Sequence, residues 1–361
     1  MNTRPAHKYL DESVALLQKL IAVKSFSREE AATADIWQQW LGERVGDVRR
    51  FRNNVYAVAP GFDPVRPTLM LNSHHDTVRP SSSYTRDPFK PEIVGDRLYG
   101  LGSNDAGASG VALASTFIEL YKRTELPVNL LLAITAEEEV SGENGMRAFL
   151  PYLREQGLYP DMAIVGEPTD MCPAVAERGL LVLDAVAAGK SGHAARNEGI
   201  NAIYRAIEDI SRLRTFKTER VSDVLGPIKV SVTMIDAGTQ HNVVPDSCRY
   251  VVDVRTTDAY TNEETVELLR RTVEWSTLTP RSTRIRASVI DAGHKLVAAA
   301  KAFGHEPFVS PTTSDMALMP DIDSLKIGPG QSSRSHSADE FVLLSEINEA
   351  LYIYPEIIKA L

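Results

Sequence analysis

Thr68-Leu69-Met70-Leu71-Asn72-Ser73-His74-His75-Asp76-Thr77 runs from a short apolar stretch into two histidines and an aspartate. Two more stretches share this shape. Asn129-Leu130-Leu131-Leu132-Ala133-Ile134 leads to Glu137-Glu138-Glu139, and Met162-Ala163-Ile164-Val165-Gly166 leads to Glu167. Each apolar run reads as a strand, and each polar group lies on the segment that leaves it. Open α/β sheets place their chemistry in the crevice at the carboxyl ends of the strands. Histidines and acids gathered there have one usual physical purpose, which is to hold a metal.

Working outward, residues 9 to 23 carry Leu10, Val14, Leu17, Leu20 and Ile21 at helical spacing, with Asp11 and Ser13 near the start. Strands are expected at 54–58, 68–72 and 128–135, and helices at 108–123 and 145–156. This alternation predicts an α/β fold with a sheet sandwiched between helices. From about Gly179 the pattern changes. Strands at 180–188, 228–235, 248–254 and 284–290, with helices at 202–213 and 262–276, give the order β-α-β-β-α-β of a ferredoxin-like unit. A helix at 295–303 and a strand at 323–327 then resume the first pattern. The expected organisation is a discontinuous catalytic domain, 1–178 and 289–361, with a domain inserted at 179–288.

With 361 residues, 43% hydrophobic and 24% charged, the chain is an ordinary globular composition long enough for two cores. Its net charge of -9, without dense runs of lysine or arginine, makes nucleic acid an unexpected partner. The two cysteines, Cys172 and Cys248, fit no zinc or redox spacing and point to a reducing compartment. The opening Met1-Asn2-Thr3-Arg4-Pro5-Ala6-His7 leads into a mixed polar segment rather than an apolar signal core, and no stretch reaches the ~20 apolar residues of a membrane span. A cytoplasmic location is expected.

On an extended segment His74 and Asp76 project to the same side, so the Asp can accept from the imidazole and raise its basicity as a ligand. His75 points the other way. Asp105 follows Leu98-Tyr99-Gly100-Leu101-Gly102-Ser103-Asn104 and opens a helix; by itself it reads first as a helix N-cap. Glu137-Glu138-Glu139 would repel one another unless a solvated turn or a positive charge relieves them. Beside a metal, one of these carboxylates can ligate while its neighbour acts as base on the metal-bound water. Glu167 and His336 add two further ligand types at strand exits.

Taken together, Ser73 to Val78, Tyr99-Gly100-Leu101-Gly102 with Asp105, Thr135 to Glu139, Ile164 to Thr169, Gly192-His193-Ala194, Asn242-Val243-Val244-Pro245 and Gly328-Pro329-Gly330 with His336 resemble, in order, the di-zinc amidohydrolases. That family includes acetylornithine deacetylases, succinyl-diaminopimelate desuccinylases and related aminoacylases and carboxypeptidases. Thr85-Arg86-Asp87-Pro88-Phe89 resembles the acetylornithine deacetylase branch in particular. The resemblance implies that Asp105 bridges two divalent ions, Zn²⁺ or alternatively Co²⁺. His74 and Glu167 complete one ion, Glu139 and His336 the other. It further implies Glu138 as general base, Asp76 as support for His74, His193 as oxyanion donor, and Arg255, Asn242, Gly328 and Gly330 as substrate contacts. One departure stands out: many relatives carry Met-Lys-Gly after the bridging Asp, where Ala106-Gly107-Ala108 stands here, with no ligand lost.

The expected activity is hydrolysis of an N-acyl amino acid through a metal-bound hydroxide. N2-acetyl-L-ornithine, in arginine biosynthesis, is the first substrate, in a homodimer paired through the inserted domain. The alternatives are an N-succinyl-ornithine or N-succinyl-diaminopimelate desuccinylase, a dipeptidase, or a non-catalytic metal-dependent binding protein. Arg79 could read a succinyl carboxylate, but it reads first as a surface arginine. His7, His241, His294 and His305 are expected outside the site.

Overall fold

A computed structural model describes residues 4–123, 125–196 and 198–361, so the first three residues of the polar opening segment lie outside the described residues. The chain divides into two compact units. One comprises residues up to Val175, Ile290–Phe308 and Ser314–Leu361; the other comprises Ala176–Val289 and Val309–Thr313.

In the first unit, strand Thr68–His74 is buried along its whole length. It pairs in parallel with Asn129–Thr135 on one side and Met162–Val165 on the other. Asp323–Lys326 extends the sheet in parallel beyond Met162–Val165, while Asn54–Val58 and then Val48–Phe51 extend it antiparallel on the opposite side. A sheet covered on both faces requires near-continuous apolar strands, which is why these segments read as unbroken runs. Alternate residues serve the two faces. Leu69, Leu71, Leu130 and Leu132 pack with Leu17, Trp37, Phe117 and Leu351, whereas Met70 and Leu131 pack with Tyr56, Phe149 and Leu153. Each such side chain contributes roughly 1.5–3 kcal/mol by leaving water.

Helices Leu10–Ile21, Ala108–Leu120 and Met146–Glu155 lie close to their expected spans. Helices Ala31–Gly42 and Leu344–Lys359 have no counterpart in the sequence reading. The latter contains Pro355, which interrupts a helix in isolation. Burial decides in its favour, since Leu351, Tyr354 and Ile358 enter the core and the Tyr354 hydroxyl donates to the Ile327 carbonyl at 2.7 Å. A small antiparallel sheet of Glu92–Val94, Arg97–Tyr99 and Phe341–Leu343 brings the segment after His336 beside the one before Asp105. Among the described residues no helix is long and apolar enough to cross a membrane.

The second unit is a four-stranded antiparallel sheet in the order Lys229–Ala237, Ser247–Thr256, Gly179–Ala188, Ser276–Pro280, with helices Ala202–Arg214 and Asn262–Thr272. Leu181, Leu183, Tyr250, Val252 and Leu269 form its own core. The order β-α-β-β-α-β holds, but its last strand is Ser276–Pro280 and not 284–290. The cause is Asp209. Its buried carboxylate accepts the amides of Glu274 and Trp275, each at 2.9 Å, and Arg212 at 2.7 Å. The helix therefore stops at Thr272, and Leu278 turns into the core.

Burial opposes ionisation of Asp209, yet the amides of Glu274 and Trp275, the Ser276 hydroxyl and Arg212 outweigh it and hold the pKa below the usual 3.8. Asp209→Ala is expected to destabilise this unit by about 1–3 kcal/mol in chemical denaturation at neutral pH. Because the folded pKa is depressed, the carboxylate's contribution is complete above 3.8 and is lost as pH falls through the folded value. The two proteins' denaturation midpoints should converge there.

Candidate metal centre

The parallel strands Thr68–His74 and Met162–Val165 end side by side, with Asn72 opposite Val165, so His74 and Glu167 emerge together. The His74 Nδ1 lies 2.9 Å from the Asp76 carbonyl, a geometry in which the ring nitrogen donates. In the neutral imidazole the Nε2 lone pair then faces Asp105 at 3.3 Å, Glu167 at 3.6 Å and Glu138 at 3.9 Å. Acceptor facing acceptors in a buried site demands a positive charge between them. One answer is a proton. Burial lowers the His74 pKa, but hydrogen bonds to Asp105 and Asp76 and the charges of Glu138 and Glu167 lift it well above its ordinary value. The other answer is a metal cation.

A second group shares Asp105. One of its carboxylate oxygens faces His74, and the other lies 3.5 Å from His336 Nε2. His336 Nε2 is also 3.0 Å from Glu139. His74, Asp105 and Glu167 converge tightly enough to share one ion, and Asp105, Glu139 and His336 to share another. Two imidazoles and three carboxylates, one bridging, form an oxygen–nitrogen donor set that suits a pair of divalent cations. The residues present fit such a pair.

The three adjacent glutamates are separated by the backbone. Glu137 adopts a left-handed conformation (φ 57°), and its carboxylate turns away to accept the Asn144 backbone amide at 3.2 Å and side-chain amide at 2.6 Å. Glu139 faces His336. Glu138 belongs to neither ligand group; burial, then the charges of Glu167, Asp315 and Glu139, push its pKa well up against the opposing effect of His74. The Asp76 carboxylate lies 3.5 Å from His74 Nδ1 and also accepts the amides of Glu138 at 3.0 Å and Glu139 at 3.2 Å, and the Ser27 hydroxyl at 2.7 Å. It therefore ties the histidine strand to the glutamate turn. His75 points away, between the Thr33 hydroxyl (2.8 Å) and the Asn53 carbonyl (2.9 Å), and burial brings its pKa down to about 4.

The Gly328-Pro329-Gly330 turn lies against the Glu167 loop. The Gly328 carbonyl accepts the Thr169 and Met171 amides and the Gly330 carbonyl accepts that of Asp170, at 2.6–3.2 Å. Gly330 has φ +85°, and Gly328 has no room for a Cβ. In the second unit, His193 lies on a two-residue strand paired with Val243–Val244, and the Ala194 amide donates to the Asn242 carbonyl at 3.0 Å. Arg255 makes an ion pair with Asp253 at 2.9 Å. Arg79 is exposed, pairs with Glu29 at 2.8 Å and lies over the Phe26 ring.

Residues 70–360 match the sequence profile of peptidase family M20/M25/M40. The chain belongs to that family. It is 27% identical over an alignment of 374 residues to a succinyl-diaminopimelate desuccinylase of Rhizorhabdus wittichii, covering 95% of this chain and 96% of that one. A desuccinylase of the same description from Cereibacter sphaeroides is 26% identical, at 96% and 98% coverage. Among solved structures, aminopeptidase PepT of Bacillus cereus superposes with a TM-score of 0.78 at 18% identity, covering 97% of this chain and 98% of that one. A dinuclear metal-binding M20 peptidase of Bacillus subtilis reaches 0.75, also at 18% identity, covering 97% of each chain. The protein is a hydrolase of the M20 family, whose enzymes have dinuclear metal sites, and the paired groups are the candidate ligands for such a site.

Three buried acids around this M20 centre escaped the sequence reading. Glu30 accepts the amides of Arg28 (2.5 Å) and Glu137 (3.2 Å). Asp315 accepts the Thr135 hydroxyl at 2.8 Å, and burial lifts its pKa to about 6. Glu340 accepts three amides of the loop that carries Asp105. None follows an apolar run, so nothing in its local sequence separates it from a surface acid. Since Asp105 faces both groups, Asp105→Ala is expected to lose both ions. Elemental analysis after dialysis checks this, and full metal content would break the bridging assignment.

Proposed function

We propose that the protein removes the N-acyl group from an N-acyl amino acid with two bound Zn²⁺ ions (Co²⁺ being the alternative), and that the acyl group is succinyl. The observation that carries the hydrolytic part is Glu138. It sits 3.9 Å from the His74 ring between two ligand groups and belongs to neither, and burial disposes it to take up a proton. A binding protein needs no such group. When bound, the two ions polarise the amide carbonyl and acidify the attacking water. Glu138 accepts the water's proton as the C–O bond forms, and delivers it to the amine nitrogen as the C–N bond breaks. Asp76 holds the Glu138 amide, and with it the position of the base.

The succinyl assignment is supported by desuccinylase relatives aligned over nearly the whole chain. It replaces N2-acetyl-L-ornithine as the first reading and places N-succinyl-diaminopimelate ahead of it. Acetylornithine remains a second reading for one reason. The Thr85-Arg86 segment is anchored on Asp339, through the Thr85 and Arg86 amides at 2.9 Å each, near His336. The two free cysteines, Cys172 and Cys248, fit a cytoplasmic location.

Glu138→Gln is expected to keep both ions yet lose at least ~10²–10⁴ in turnover. Assayed on N-succinyl-diaminopimelate, N-succinyl-ornithine and N2-acetyl-ornithine, the wild type should favour the succinyl amides. Preference for the acetyl amide would restore the first reading, and near-normal turnover of the variant would remove Glu138 from its role.

We further propose that the second unit pairs in a homodimer and that His193 donates to the oxyanion of the partner's site, with Arg255 and Asn242 contacting substrate. Mixed dimers of His193→Ala and Glu138→Gln subunits should then regain activity, because one of the two sites combines an intact base with an intact donor. A demonstrated mixed dimer without rescue overturns the trans arrangement.

A further inference from the structure

The two ligand groups are held in different ways. His74 and Glu167 leave adjacent parallel strands, and the His74 side chain is 1% exposed. His336 sits on the segment between Gln331 and Glu340 with a left-handed backbone (φ 56°), and its side chain is 54% exposed. No strand of the main sheet carries it.

What ties that segment to the bridging ligand is Glu340, which is 2% exposed. Its Oε1 accepts the amides of Asn104 at 2.8 Å and Asp105 at 2.9 Å, and its Oε2 accepts that of Gly102 at 3.0 Å. The Glu340 carbonyl also accepts the Gly100 amide at 3.0 Å. Asn104 reinforces the junction from the other side, donating to the Gln331 carbonyl at 3.1 Å and accepting the Gln331 amide at 3.0 Å. A carboxylate in this setting needs its amide donors, and the amides need it, since neither has water to turn to.

Building on the two-ion reading above, we propose that Glu340 is a positioning residue. It locks the Asp105 loop onto the His336 segment and so sets the affinity of the group formed by Asp105, Glu139 and His336. Loss of this clamp leaves His74 and Glu167 in place on their strands, but lets His336 drift relative to Asp105. Partners behind metal ligands typically govern 10–100-fold in metal affinity, and an effect of about that size is expected here.

The test is calorimetric titration of Zn²⁺ into the metal-free full-length protein, for the wild type, E340A and E340Q, with H336A identifying which equivalent belongs to the second group. The expected result is two equivalents in the wild type. In E340A the second should be weakened about 10–100-fold and the first much less. E340Q should fall between them, because its amide oxygen can still serve Asn104 and Asp105 while its nitrogen opposes the Gly102 amide. Thermal melts of the metal-free proteins separate this from general loss of fold. If E340A does not fold, E340Q decides. Wild-type binding of both equivalents in a folded variant, or equal weakening of both, overturns the proposal. Fewer than two equivalents in the wild type would instead defeat the two-ion reading, and the role of Glu340 with it.

Discussion

Everything around this centre answers to one electrostatic constraint. Asp105, Glu138, Glu139 and Glu167 converge on the imidazoles of His74 and His336, in a pocket where His74 is almost without solvent. Carboxylates so placed cannot all remain ionised without positive charge among them. The fold could relieve them by opening to water, but the strands that deliver His74 and Glu167 are buried on both faces. The site is therefore built to receive cations, and much of the nearby hydrogen bonding serves to keep the anions facing inward.

Backbone amides supply that bonding. Asp76 accepts two amides of the glutamate turn, Glu30 accepts those of Arg28 and Glu137, and Glu340 accepts three from the Asp105 loop. An acid held by amides keeps a fixed geometry without contributing a cation of its own that would compete for the ligands. These three clamps join segments that are distant in sequence, and each secures a turn carrying a candidate ligand or the proposed base. Part of the centre is thus positioned by the sheet and part by the clamps.

The ligand types and their order were legible because a strand buried on both faces must be an unbroken apolar run, and its end is marked by the first polar residues. That logic marked His74, Glu167 and the run Glu137 to Glu139 as candidates, without separating the three glutamates. It failed for the last strand of the second unit, where Asp209 captures the amides of Glu274 and Trp275 and so resets the boundary. It also passed over Leu344–Lys359, whose Pro355 argues locally against the helix that tertiary burial stabilises.

The sequence by itself determined the α/β class, the β-α-β-β-α-β order of the second unit and the chemical character of the centre, since all three follow from local periodicity and residue type. Only the tertiary structure decided what each acid does. Glu137, Glu138 and Glu139 are identical in type and adjacent in the chain, yet one is tied to Asn144, one stands between the ligand groups and one faces His336. Glu340 looks like any surface glutamate until the loop of Gly102, Asn104 and Asp105 folds over it. Hydrogen-bond donors from distant segments exist for a side chain only once the chain has folded, and it is those donors that give each of these acids its own surroundings.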